Sequence, residues 1–456
     1  MELQSILDGV HRLRVDERGA VAVTVGVLII PLVGALAIGF EVSNWYMVTR
    51  NMQNAADAAT IAAATNGGAN YGIEGKAVAA RYGFVDGSNN VSVAVTNAAA
   101  CPGGGNTCYS ATVSGYVPLL MSQVLGVTGD GNVNGTLQKK LSAVAVAKAA
   151  TQPQDICLLA LASSGVAQGI RTNGSPTGNM NGCNVMSNTA AQCNGSNLGA
   201  GLGMAHGNTN GCGVTPVSNV PVVTDPYIGL ASNIPPLSSA GCGGSYPQES
   251  KQGNSYSVAA SNQLSGTLNL TAGNNFKCGD QMLTADTVIN TPLGSPAVLI
   301  IENGQLDLNG HALTTSNGSA VTLVFSGDNS GSYSHMPADN TNGPGGKLDL
   351  AAPTSGPWSG VAIYQDPKLT SGLDVSAAGN SPTWNITGLV YMPHATVTLK
   401  GAIDKATAGK SCLVMVADNF QISGNGGILK TDIGQCAQAG LTMPTAKIPG
   451  RSMLVL

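Results

Sequence analysis

Charge is scarce in this 456-residue chain. It has 20 basic and 24 acidic residues, 10% of the total, where an ordinary soluble domain carries about 25%. There is no basic run, and the formal net charge is −4. A nucleic-acid surface needs a cationic footprint to release counterions, so no nucleic-acid partner is expected. Histidine occurs only five times, too few for a multi-histidine metal site to be expected. Aromatic residues make up 4%, so the 43% hydrophobic content is mostly alanine, valine and leucine. No C-x-x-C, H-E-x-x-H, G-x-S-x-G or phosphate-cradling glycine loop occurs, and no cofactor is expected. The 61 glycines and 22 prolines fall short of the roughly 25–30% that marks a disordered chain.

What is present begins with one long apolar run. Gly19 to Phe40 are 22 residues without a charge, and about 20 apolar residues span a bilayer as a helix. Arg12, Arg14 and Arg18 precede the run, while only Arg50 follows closely. Positive-inside counting puts residues 1–18 in the cytoplasm and the rest outside. A cleaved signal peptide is the rival, since Ala35-Leu36-Ala37 resembles a cleavage site. The apolar run is longer than the usual h-region, and Asp8, Asp16 and Glu17 sit among its preceding basics, so a retained anchor is favoured.

The helix is predicted to continue past the run. No Gly or Pro occurs between Glu41 and Gly67, and alanine, the best helix former, dominates. Trp45, Val48, Met52, Ala55, Ala59 and Ala62 recur at helical spacing as one apolar stripe. Such a seam serves either packing on the chain's own next domain or helix–helix assembly with other subunits.

These residues carry a resemblance. Arg18-Gly19-Ala20-Val21-Ala22-Val23, the span with Pro31, Asn44-Trp45-Tyr46 and Gln53-Asn54-Ala55-Ala56-Asp57-Ala58-Ala59 resemble the N-terminal module of TadG-like proteins of the tight-adherence (Flp) pilus-assembly family. The resemblance implies a part in that apparatus, with its other proteins as partners. Related pseudopilins are cut after a glycine that is followed five residues later by glutamate. Here Gly19 is followed by Thr24, so that cleavage is not expected.

Residues 66–150 read as a small pilin-like α/β unit. Glu74–Tyr82 has a helical pattern, a short helix fits Leu119–Leu125, and residues 91–95, 109–117 and 141–147 alternate as strands. Asp130-Gly131-Asn132-Val133-Asn134-Gly135 begins like a calcium loop, but the position for its bidentate glutamate is Leu141, so a turn is expected.

From Thr151 the composition shifts. Full-length TadG-like proteins often carry a von Willebrand A domain here, but no D-x-S-x-S follows Asp155-Ile156-Cys157-Leu158-Leu159, and that domain is not expected. Short segments broken by Gly, Asn and Ser follow instead, with the near-repeat NGQLDLNG (303–310) and GGKLDLAA (345–352). This pattern predicts a right-handed parallel β-helix-like domain, with a β-sandwich as the alternative. Cys157-Leu-Leu-Ala-Leu, Asp225-Pro226, the turn at 352–357 and Ile386 to Pro393 also resemble the C-terminal half of some TadG-like proteins.

The fold expected is thus mainly β with a long N-terminal α-helix. Its parts are a cytoplasmic segment 1–18, a transmembrane and extended helix 19–65, the α/β unit 66–150, a β-solenoid ectodomain 151–440 and a tail 441–456. Ten cysteines outside the cytoplasm allow five disulfides. Only Cys101 and Cys108, flanking a hairpin tip, are paired by spacing; Cys412 and Cys436 bracket the last strands as a candidate staple. For a polysaccharide-active β-helix enzyme the candidate groups are Asp307, Asp349, Asp366, Asp374, His311, His335 and His394. Asp307 and Asp349 fall between leucines, where solvated, outward-pointing acids are expected, and no catalytic motif is formed. The reading is a non-enzymatic, single-pass inner-membrane protein with a periplasmic ectodomain, lipid and pilus-apparatus partners, and self-association through its helix. The alternatives are that enzyme or a secreted adhesin.

Overall fold

The computed structural model describes residues 17–455 apart from 68–69, 103–107, 134, 150, 164, 175, 181, 329–330, 342–344, 370–382, 401–411, 425–426, 431–432 and 451. A long helix is followed by a mostly β chain with a large parallel sheet. Two compact units form, Met1–Gln152 with Pro449–Leu456, and Pro153–Ile448.

In the first unit, α1 (Glu17–Asn66) runs unbroken for 50 residues, about 75 Å at 1.5 Å per residue. Its Pro31 lies in the apolar half. α2 (Tyr71–Arg81) packs beside it at Gly75, where a Cβ would stand 3.2 Å from the Ala59 carbonyl oxygen and 3.1 Å from Val95. β1 (Ser92–Ala99), β2 (Cys108–Pro118) and β4 (Thr136–Lys148) form an antiparallel sheet, with β3 (Gly131–Val133) folded back on β4. On the other edge of β4 lies Met453–Leu454, from the chain's far end. β2 alternates buried and half-buried residues along its length, as a strand with one covered face does. The core between helix and sheet is small-residue packing: Ala55, Ala56 and Ala59 against Val93, Val113 and Ala143.

The second unit is built of parallel ladders. In the longest, Gly273–Cys278, Ala297–Glu302, Val321–Ser326, Val361–Gln365, Thr383–Lys400 and Leu413–Gly424 pair in succession. Thr151–Ala160, Asn184–Ser187, Leu202–Ala205 and Thr215–Val217 extend the same ladder beyond Leu413–Gly424. The unit's first strand therefore sits mid-ladder: the chain runs outward to residue 217, then returns from the far end at residue 273. A progressive stack in which each rung touches only its chain neighbours would not place these strands together. Parallel pairing is not that of a β-sandwich, whose two sheets are antiparallel.

Strands such as Ala297–Glu302, Val321–Ser326 and Val361–Gln365 are buried at every position. That explains their continuous apolar runs, since a parallel strand covered on both faces has no solvent side to mark with polar residues. Register stacks Leu299, Leu323, Ile363, Val390, Met415 and Leu158 in one buried column. The opposite face stacks Ile300, Val324, Tyr364, Tyr391, Val416 and Leu159, covered by Val220, Val223 and Tyr227 and by the 436–446 segment. All ten cysteines are paired: Cys101–Cys108, Cys157–Cys183, Cys193–Cys212, Cys242–Cys278 and Cys412–Cys436.

Candidate functional site

α1 has two halves of different character. Residues 21–36 present valine, leucine and isoleucine to the outside, with Ile30 74% exposed. An apolar surface of that size marks a partner or a membrane. Among the described residues this is the one helix long and apolar enough to cross a bilayer. Beyond Phe40 one face of the helix is covered by the chain itself. Of the stripe singled out from spacing, Met52, Ala55 and Ala59 are buried against β1, β2 and β4, Val48 packs on the same core, and Trp45 and Ala62 are half-buried. The stripe is thus occupied by the chain's own sheet, and alanine allows the close approach. Thr60 fixes the contact by donating its hydroxyl to the Ala145 carbonyl at 3.2 Å.

Where the two halves meet stands Glu41, buried although it is the first charge after the apolar run. Its carboxylate accepts the backbone N–H groups of Leu120, Met121 and Ser122 at 2.8–2.9 Å and the Ser122 hydroxyl at 2.8 Å. Burial raises this carboxyl, but the hydrogen bonds from Leu120, Ser122 and Met121 outweigh it and hold the group below the ordinary range. The 3₁₀ turn Ser122–Leu125 is thereby held against the helix at the end of the apolar half. Sequence reasoning missed this contact, which nothing in local spacing signals. Asp130, the start of the calcium-like motif, is instead an ion-pair partner of Lys139 at 3.0 Å and an acceptor for the Lys140 N–H at 2.9 Å.

Residues 19–66 match the family model described as "Putative Flp pilus-assembly TadE/G-like". That segment is α1, its apolar half and its sheet-packed half together. No curated protein matches the chain. Among solved structures the competence-associated pilin ComZ from Thermus thermophilus is similar at 11% identity, over 80% of this chain and 88% of that one. Its TM-score of 0.19 carries no structural argument.

The acids and histidines of the second unit are arranged as staples. Asp307 and Asp349, expected to point into solvent, are buried. Asp307 ends the two-residue strand Leu306–Asp307, and its Oδ1 accepts the N–H groups of Asn309 and Asn340 at 2.9 and 2.8 Å. Asp349 is covered beside Asn385 of the next rung and pairs with Lys347 at 2.8 Å. Asp366 is buried beside Lys368 at 2.9 Å. Asp374 lies outside the described residues. His335 is buried, which pushes its pKa down to about 4; His311 is 3.7 Å from Asp286 and His394 contacts the Pro367 carbonyl.

Three acids not singled out from the sequence join Asp307. Asp280 accepts the N–H groups of Glu249 and Gln305 at 2.7 and 2.9 Å, and Asp339 those of Gly310 and Gly346 at 2.8 and 2.6 Å. Each carboxylate closes a turn onto the adjacent rung. A Cβ at Gly304 would overlap the backbone of Gly279 in the rung below, so the rungs touch there. Glu249 Oε2 accepts the side-chain amides of Gln305 and Asn340, both at 2.7 Å, while Glu249 Oε1 and Asp307 Oδ2 are buried oxygens without a hydrogen-bond partner. Burial, and then Asp307, push the Glu249 pKa up to about 8. Asp307 is only 1% exposed, and Glu249 beside it is half-buried.

Among the described residues no group of three or more His, Cys, Asp or Glu is set to hold a metal ion. Two grooves open on the second unit, of about 560 and 480 Å³. Hydroxyls, amides and alanines such as Thr315, Ser319, Thr387 and Gln438 line the larger, and Asn233, Pro296 and Trp358 the smaller. Neither lining supplies an acid or a base.

Proposed function

We propose that this chain is a non-enzymatic structural component of Flp pilus assembly, anchored in the inner membrane by residues 19–40. The observation that carries the reading is the division of α1, whose segment 19–66 matches the TadE/G-like family. Its apolar half stands uncovered while one face of its outer half packs on the chain's own sheet. Residues 1–18 lie in the cytoplasm, on the charge balance of Arg12, Arg14 and Arg18 against Arg50. The remainder, with five disulfides, lies in the oxidising periplasm. The organisation is the helix 19–65, a pilin-like unit 66–150, and a right-handed β-helix-like solenoid over 151–440, a reading that the parallel pairing supports and the mid-ladder first strand complicates, before the tail 441–456.

Lipid is the first partner and the pilus apparatus the second. Self-association runs through the N-terminal helix, chiefly its exposed apolar half, since Val48, Met52, Ala55 and Ala59 of the outer stripe pack on the chain's own sheet while Trp45 and Ala62 stay half-exposed. Affinity purification of the full chain from cells that make the pilus tests this reading. Recovery of pilus-apparatus proteins, lost when residues 19–40 are replaced by an unrelated span, is expected; purification without them contradicts it.

A further inference from the structure

The 3₁₀ turn that Glu41 holds has an exposed apolar outer surface. Leu120, Met121 and Val124 are 49%, 52% and 78% exposed, and Val127 is exposed as well. No charge occurs from Cys108 to Gly129. A soluble surface rarely gathers so many large apolar side chains on one short turn. The turn is placed by its contacts: three of its N–H groups end on Glu41, the residue immediately after Phe40. It therefore stands at the level where the apolar half of α1 ends. Tyr46, about one turn further along the helix, is also exposed, and Tyr is a residue of the membrane interface. Lys140, exposed on β4 opposite Tyr116, supplies a cation beside the same end of the sheet.

We infer that Leu120, Met121 and Val124 form a second membrane contact, a tip that enters the lipid headgroup–acyl boundary beside the span. Glu41 is the positioning residue: it satisfies the turn's N–H groups internally, so the tip meets lipid without orphaned donors. One span leaves the first unit free to tilt and rotate about the helix. A second contact off the helix axis fixes which face of the unit looks at the membrane. The inference rests on the anchor reading above and adds a contact that this reading does not require.

The test uses the full chain in phosphatidylethanolamine–phosphatidylglycerol vesicles. Because all ten cysteines are paired, one introduced cysteine is the single labelling site for an environment-sensitive fluorophore. Leu28→Cys reports the span and Val124→Cys the tip. Ile73→Cys, 72% exposed on α2 near the far end of α1, is the aqueous control, about 37 Å along the helix from Glu41 at 1.5 Å per residue. Lipid-borne nitroxide is expected to quench the Leu28 and Val124 labels severalfold more than the Ile73 label, with a blue shift at Val124. Quenching at Leu28 with a water-exposed Val124 overturns the tip and leaves the anchor standing. Shielding of Val124 from a water-borne quencher, without lipid quenching and lost on dilution of protein in lipid, assigns the tip to a second copy and overturns the inference. Absence of lipid quenching at Leu28 overturns the anchor reading and the tip with it. Leu120→Ser with Met121→Ser, at exposed positions that leave the fold intact, is expected to reduce the Val124 quenching.

Discussion

Glu41 and Ser122, 81 residues apart, meet twice: the Ser122 N–H and its hydroxyl each donate to the Glu41 carboxylate at 2.8 Å. The pair ties the last element before β3 to the point where α1 stops being apolar. A buried carboxylate directly after a membrane-length run would be costly if unpartnered, and its four hydrogen bonds are what allow it.

Glu41→Ala is therefore expected to destabilise the first unit by about 1–3 kcal/mol, the range for stranding buried donors. Hydrogen exchange of the Leu120, Met121 and Ser122 amides reads the effect and should accelerate. The Glu41 carboxyl is held below its ordinary 4.5 in the fold. Its contribution is thus present above that value and lost as pH falls through the lowered one. Protection of the three amides should persist at neutral pH and fall in acid; protection unchanged by pH and by Glu41→Ala contradicts this role.

Ala59→Leu places a large side chain between α1, α2 and the sheet, where Gly75 already stands in close contact. Overpacking of this kind costs about 1–3 kcal/mol. Thermal unfolding of the full chain should show the first unit's transition lowered. If Ala59 instead faced other subunits, the variant would keep monomer stability and lose assembly.

Glu249, beside Asp307, is expected to make the second unit pH-sensitive in the opposite sense. Its folded pKa is raised from 4.5 to about 8, so its contribution is complete below 4.5 and is lost as pH rises through about 8. Glu249→Gln keeps the side chain's size and does not ionise. The variant's stability profile should be flatter across that interval, and its unfolding midpoint above the parent's at the alkaline end. An unchanged slope would show that Glu249 does not keep its proton in the fold.

Tyr391 donates to Asp225 Oδ2 at 2.6 Å and stacks on Tyr364 at 4.5 Å. Tyr391→Phe keeps the ring and removes one donor from the half-buried Asp225, which retains the Tyr227 N–H at 3.0 Å, at a cost of about 1 kcal/mol. Limited proteolysis should cut the 220–234 segment, which those rings hold, faster than in the parent. Cleavage at the same rate would mean that the segment is held by its apolar contacts alone.

The helical and strand periodicities were legible in the sequence because they are local. Glu17–Asn66 and the strands of the first unit follow from alanine content and alternation. The parallel pairing followed from short apolar segments between Gly and Asn. Three things were not legible. The mid-ladder position of Thr151–Ala160 depends on pairing with residues over 250 positions away, which no local pattern encodes. The L-D-L pattern looks like alternation and predicts solvated acids at Asp307 and Asp349, whereas pairing with neighbouring rungs buries both. Glu41 looked like an ordinary flanking charge because its partners at 120–122 are distant in sequence. For the site, the helix stripe was visible, but its partner, the chain's own sheet, was one of two equally spaced possibilities.

The most direct test of the account is the fate of residues 19–40 in cells. Fractionation with alkaline carbonate extraction, N-terminal sequencing and protease access from the periplasm should find the chain in the membrane pellet. Residues 19–40 should be retained, and the region after Glu41 cleaved only once the outer membrane is opened. A soluble product whose N-terminus lies near residue 38 would contradict the anchor, and with it the proposed place of this protein in the envelope.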